Sequence, residues 1–125
     1  MKIVLDTNSL IRYFTNDVPE KAQKVKTALE NEKNIIIPDV VFPEIEYVLT
    51  ENYGVVKEKL LEIFRFLTSL SNVKLPFHIK RAIDIFENTK LDMADCIIAA
   101  QSEKATLASF DRELLQVKSI KPFWK

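Results

Sequence analysis

The segment Ile3-Val4-Leu5 is an unbroken apolar run that stops on a carboxylate, Asp6, and turns polar at once with Thr7 and Asn8. Such a run suits a strand covered on both faces, the pattern of a central strand in a parallel sheet under helices. Strands of this kind deliver side chains to the carboxyl edge of the sheet, where open α/β folds place their ligands. Asp6 is therefore expected at that edge, either as a functional carboxylate or as the cap of a helix beginning near Ser9-Leu10-Ile11.

The rest of the chain alternates between helix and strand signals. Leu10, Ile11, Tyr13 and Phe14 fit a short helix, with Asn16-Asp17-Val18-Pro19 as its exit turn. An amphipathic helix over 20–32 follows, its apolar face made of Ala22, Val25, Ala28 and Leu29. Asn34-Ile35-Ile36-Ile37-Pro38 is a second buried-strand signal. Asp39 is the expected cap of a third helix, which carries Pro43 and Glu44 early and turns Ile45, Val48 and Leu49 inward. The only glycine, Gly54, ends it.

A long helix is marked by Val56, Leu60, Ile63, Phe64 and Leu67, a short strand by 73–76, and a further helix by Ile79, Ala82, Ile83 and Phe86. His78, before that helix, reads as a cap or surface group. Residues 105–109 are the last strand candidate, Asp111 can cap a helix over 112–115, and 117–125 forms a closing strand or tail. The alternation predicts an α/β fold with a mostly parallel central sheet flanked by helices on both faces. With 125 residues the chain is expected to form one domain, 1–125, burying roughly two-thirds of its unfolded surface.

The stretch 91–100 adds two acids in an unfavourable place. Asp92 and Asp95 share one face of a helix that is otherwise apolar nearly all round, and no Lys or Arg lies within it. Asp92 serves as an N-cap, but Asp95 stands one turn inside, where an unpaired charge costs several kcal/mol or is neutralised. In an α/β fold Asp6 and Asp111 reach the carboxyl edge from strands, and Glu44 and Asp95 reach it from helices. Carboxylates so gathered repel one another unless a cation sits among them. An all-oxygen donor set favours Mg²⁺ or Mn²⁺, ions suited to phosphoryl chemistry.

Composition narrows the function classes further. The 18 basic and 18 acidic residues balance, so no global positive field attracts nucleic acid, and a polyanionic substrate must be met by local basic groups or bound cations. The lone cysteine, Cys96, lies in an apolar run and reads as a packing thiol in a reducing compartment. Nowhere do about eighteen apolar residues follow one another, and the N-terminal run meets Asp6 too soon for a signal peptide, so a soluble cytoplasmic protein without a membrane segment is expected.

Five stretches then occur in an order that resembles a known family: Val4-Leu5-Asp6-Thr7-Asn8; Arg12-Tyr13-Phe14-Thr15-Asn16-Asp17-Val18-Pro19-Glu20; Ile37-Pro38 through Glu44 to Val48-Leu49; Asp95-Cys96-Ile97-Ile98-Ala99-Ala100; and Leu107-Ala108-Ser109-Phe110-Asp111. Together they resemble a PIN-domain ribonuclease, specifically a VapC-type toxin, over nearly the whole chain. The resemblance implies an Mg²⁺- or Mn²⁺-dependent endoribonuclease with the acidic quartet Asp6, Glu44, Asp95 and Asp111. It also implies an RNA substrate, neutralisation by a VapB-type antitoxin, and a homodimer.

By the same resemblance Thr7, Asn8 and Ser109 support the carboxylates or bound water, and Asp92 is an additional acid. Ser109 stands where threonine is more usual, and Pro43 directly before Glu44 is unusual. Arg12 is either an RNA-phosphate contact or a structural salt-bridge residue. Two other readings remain open. A haloacid-dehalogenase-like phosphatase also begins with a strand ending in Asp, but needs a second Asp where Asn8 stands. A PIN-like module that binds RNA or protein without catalysis is the other.

Overall fold

The computed structural model describes residues 1–124, and contacts group the chain into two compact units, Met1–Pro76 and Phe77–Lys125. The first unit runs β1 (Ile3–Val4), α1 (Thr7–Thr15), α2 (Pro19–Asn31), β2 (Ile35–Ile36), α3 (Val41–Tyr53), α4 (Lys57–Ser69) and β3 (Val73–Lys74). The second holds α5 (Ile79–Asn88), α6 (Met93–Ser102) and α7 (Arg112–Leu115). The class is α/β, as the alternation predicts, and the sheet is parallel throughout.

In the first unit the strand order is β1-β2-β3, with Ile3 opposite Ile35 and Ile35 opposite Val73. Ile35 and Ile37 are fully buried, so the central strand among the described residues is β2. This corrects the expectation for β1. Val4 is exposed while Leu5 is buried, the period-two pattern of a strand with one covered face. Apolar character alone did not separate the two cases because both use β-branched residues. Pairing nevertheless extends to the end of the run, since Leu5 N–H donates to the Ile36 carbonyl at 3.0 Å. Asp6 leaves the sheet at its carboxyl end.

Helix α1 packs on α2 and α3, burying Leu10 and Ile11, and ends at Asn16 in the left-handed region at φ 52°. Asn tolerates that conformation better than most residues. Phe42 of α3 meets Phe64 of α4 with ring centroids 5.4 Å apart, both fully buried. The Asn72 side chain donates to the carbonyls of Leu29 and Glu32 at 2.9 and 2.7 Å, satisfying acceptors that the end of α2 leaves open. Gly54, at φ 63°, closes α3 in the left-handed conformation: its N–H donates to Thr50 and that of Val55 to Leu49, satisfying carbonyls of the last turn.

The start of α3 differs from expectation. Val40, not Asp39, occupies the cap position, without a side-chain cap hydrogen bond. The backbone of 38–42 already turns, with Val41 and Phe42 N–H donating to the carbonyls of Pro38 and Asp39.

In the second unit α5 packs on α6, and Cys96 is buried as expected of a packing thiol. Arg81 and Glu103 form an ion pair at 2.7 Å. His78 corrects another expectation: it occupies the cap position of α5 but is buried, makes no side-chain cap bond, and lies edge-on to Phe77. The strand expected over 105–109 shrinks to one bridge, between Leu107 and Pro122. Leu107 N–H donates to Lys121 and its carbonyl accepts from Phe123, both at 2.8 Å. Of the expected closing segment, Lys125 lies outside the described residues.

Candidate active-site carboxylates

In the first unit Asp6 follows β1 directly and caps α1: Ser9 N–H donates to Asp6 Oδ1 at 2.9 Å. The bonds from Ser9 hold the Asp6 carboxyl below its ordinary range, outweighing a small opposing effect of burial. The cap from Ser9 N–H takes Oδ1 and fixes the side chain at the carboxyl end of the sheet. Asp6 is thus held as a charged, exposed acceptor.

Glu44 lies in the first turn of α3, a position favoured for acids by the helix dipole. The Thr7 hydroxyl donates to Glu44 Oε1, tying the start of α1 to the start of α3. Thr7 and Asn8 share with Glu44 a groove of about 480 Å³, completed by Ile11, Pro43, Tyr47 and Val48. The sequence did not single out Tyr47, whose position one turn after Glu44 was the available signal. Pro43 directs no clash onto Glu44. It sits in the first turn of α3, where its missing N–H leaves no helical bond unmade.

Arg12 is paired with an acid of its own unit. Its Nη1 donates to Asp17 at 3.0 Å, where Tyr53 Oη at 2.8 Å and Thr15 Oγ1 at 3.0 Å also donate. These bonds, with Tyr53 the largest influence, then Thr15 and the Arg12 charge, hold the Asp17 carboxyl down to about 2 despite some desolvation. The network joins the end of α1 to the end of α3. In this unit Arg12 has the role of a structural salt-bridge residue.

In the second unit Asp92 caps α6, accepting from Asp95 N–H at 2.9 Å through Oδ1. Asp95 stands half-buried in the first turn. Asp111 caps α7, its Oδ1 accepting from Glu113 and Leu114 N–H at 3.0 and 3.1 Å, while its own N–H donates to Ser109 Oγ at 3.0 Å. Ser109 therefore acts on the backbone that presents Asp111, a role that needs only a hydroxyl and that serine fills as threonine would.

Burial raises the Asp95 carboxyl above its ordinary range, and the charges of Asp92, Asp111 and Glu113 raise it further. Glu113 is an acid that the sequence reading passed over. Its signal was the spacing to Asp111, two residues on, in the first turn of a helix too short to separate them. The second unit thus sets like charge near one half-buried carboxylate.

The donor chemistry of both units is hard oxygen, which fits Mg²⁺ or Mn²⁺ and not a thiolate- or imidazole-seeking ion. Among the described residues of either unit, no group of three or more His, Cys, Asp or Glu is arranged to hold a metal ion. The carboxylates are placed and oriented by caps and hydroxyls without being closed around a cation.

One family model, described as the PIN domain, matches residues 3–120. No curated protein and no solved structure matches the chain.

Proposed function

The chain belongs to the PIN domain family, and we propose that it is a metal-dependent endoribonuclease, the toxin of a VapBC-type toxin–antitoxin pair. PIN domains are generally nucleases and typically use divalent metals. The observation that supports the finer reading is the half-buried Asp95, whose carboxyl is raised by burial and by the charges of Asp92, Asp111 and Glu113. A bound cation would offset that repulsion.

In this reading Asp6 and Glu44 of the first unit and Asp95 and Asp111 of the second are the metal-binding and catalytic carboxylates. Bound Mg²⁺ or Mn²⁺ would supply an activated water and offset charge on the phosphate. Asp6 and Asp111 present one carboxylate oxygen each, the other being fixed by N–H donors of α1 and α7. Thr7 orients Glu44 toward a metal or an attacking water, and Asn8 lines the same groove. Ser109 and Asp92 hold the backbones that carry Asp111 and Asp95. The reading further includes a single domain over 1–125, a homodimer, a VapB-type antitoxin as partner, and a cytoplasmic location. No helix among the described residues is long and apolar enough to cross a membrane.

Mapping the ends left on end-labelled structured RNA incubated with the protein and Mn²⁺ tests the reaction. Attack by water leaves 5′-phosphate and 3′-hydroxyl ends. A 2′,3′-cyclic phosphate would mean that the RNA's own 2′-hydroxyl attacked, and would overturn this mechanism.

A PIN-fold module that binds RNA or protein without catalysis is favoured by one observation, the absence of a closed three-acid group among the described residues of either unit. Metal binding separates the two: Mn²⁺ raises the melting temperature of a nuclease built this way and leaves that of a binding module unchanged. Nothing in the structure supports the phosphatase alternative, since position 8 holds Asn8 and not the second Asp which that chemistry requires.

A further inference from the structure

Phe110, between Ser109 and Asp111, is 85% exposed although its ring is stacked on another. The partner is Trp124, 48% exposed, with centroids 4.6 Å apart and planes 6° from parallel. Phe123 meets Trp124 edge-on at 5.6 Å and is itself exposed. Three aromatic side chains of the second unit are thus left largely in water, and one face of Phe110 is covered by no part of the described chain. An exposed aromatic group of this kind marks an interaction surface.

The backbone beneath it is fixed on both sides. Asp111 N–H donates to Ser109 Oγ and the Asp111 carboxylate caps α7, which pins 109–111. The bridge at Leu107 and Pro122, with Phe123 N–H donating to Leu107, pins the segment that ends in Trp124. A parallel stack held this rigidly presents a flat face at little entropic cost. Every nucleobase has a complementary flat face, and stacking on aromatic side chains is sequence-tolerant. Arg112, Lys118 and Lys121, all exposed, lie in the same stretch of chain and supply positive charge for a backbone.

We infer that Phe110 and Trp124 form a base-stacking platform for single-stranded RNA, holding an unpaired base beside Asp111. The inference rests on the nuclease reading for its choice of RNA, and it names the substrate class: unpaired loops or single strands, because a base inside a duplex offers no free face.

Trp124 is the only tryptophan, so its fluorescence reports the platform directly. Titration with a short oligoadenylate, in chelator so that no cleavage is required, should quench that emission, while an abasic strand of equal length and duplex RNA should not. Phe110→Ala should weaken oligoadenylate binding by roughly tenfold or more, and Phe110→Tyr should restore it. Trp124→Phe, followed by anisotropy of labelled oligonucleotide, should bind nearly as wild type because the stack persists. Equal quenching by abasic and normal strands, or affinity unchanged in Phe110→Ala, would overturn the platform and assign the aromatic face to a protein partner. Quenching without cleavage in Mn²⁺ would sink the nuclease reading and leave the platform standing. Cleavage without base-dependent quenching would do the reverse.

Discussion

Asp17 and Asp95 show opposite ways in which a carboxylate is held. Asp17 accepts from Tyr53, Thr15 and Arg12, and its pKa falls to about 2. A depressed folded-state value stabilises the protein above the ordinary carboxylate range and loses that contribution as pH falls through the folded value. Asp17→Asn should therefore be less stable than wild type at neutral pH, and the two should converge in denaturant unfolding as pH falls from near 4 toward 2. Asp95 is held the other way, by burial and like charge. Without metal, Asp95→Asn should melt no lower than wild type. Mn²⁺ at about a hundred times its dissociation constant should add about 2.7 kcal/mol to wild type, and much less to the variant. A variant that melts well below metal-free wild type would make Asp95 structural. Asp17 was legible in the sequence only as part of a turn, because its three donors come from α1 and α3 and no spacing announces them.

At the level of helices and strands, two of the acids that cap, Asp6 and Asp111, are also proposed to act, and the two roles can be separated by substitution. Asp111→Ala removes both the α7 cap and the carboxylate, and should cost about 1 kcal/mol in denaturant unfolding together with the loss of activity. Asp111→Asn keeps a cap residue of equal quality and should lose activity with little loss of stability. Equal activity in Asp111→Asn and wild type would remove Asp111 from the chemistry. Helix boundaries were mostly readable because apolar spacing, Pro19 and Gly54 mark them locally. Strand roles were not. The runs at 3–5 and 35–37 look alike, and which one is central depends on the neighbours each acquires through pairing. The 105–109 segment pairs only at Leu107, with a partner around Pro122 that no local pattern announces.

For the whole molecule, the neutral charge balance supplies no general field, so the proposed attraction of RNA would fall to local features. The carboxylates Asp6, Glu44, Asp95 and Asp111 were all named from sequence, two by strand endings and two by acids on inward-facing helices. The resemblance named Thr7 as a support without its partner, Glu44; what sequence did not show was the Glu113 charge near Asp95 and the Phe110 and Trp124 stack beside Asp111. Those depend on contacts between residues distant in the chain, or on side-chain directions that composition does not encode. The central claim, that these acids perform metal-dependent RNA hydrolysis, is tested most directly by cleavage of end-labelled structured RNA by wild type and Asp95→Asn side by side, each with Mn²⁺ and with chelator. The account predicts cleavage by wild type with Mn²⁺ alone, abolished by chelator and by the substitution. Cleavage that persists in Asp95→Asn at the wild-type rate would contradict it.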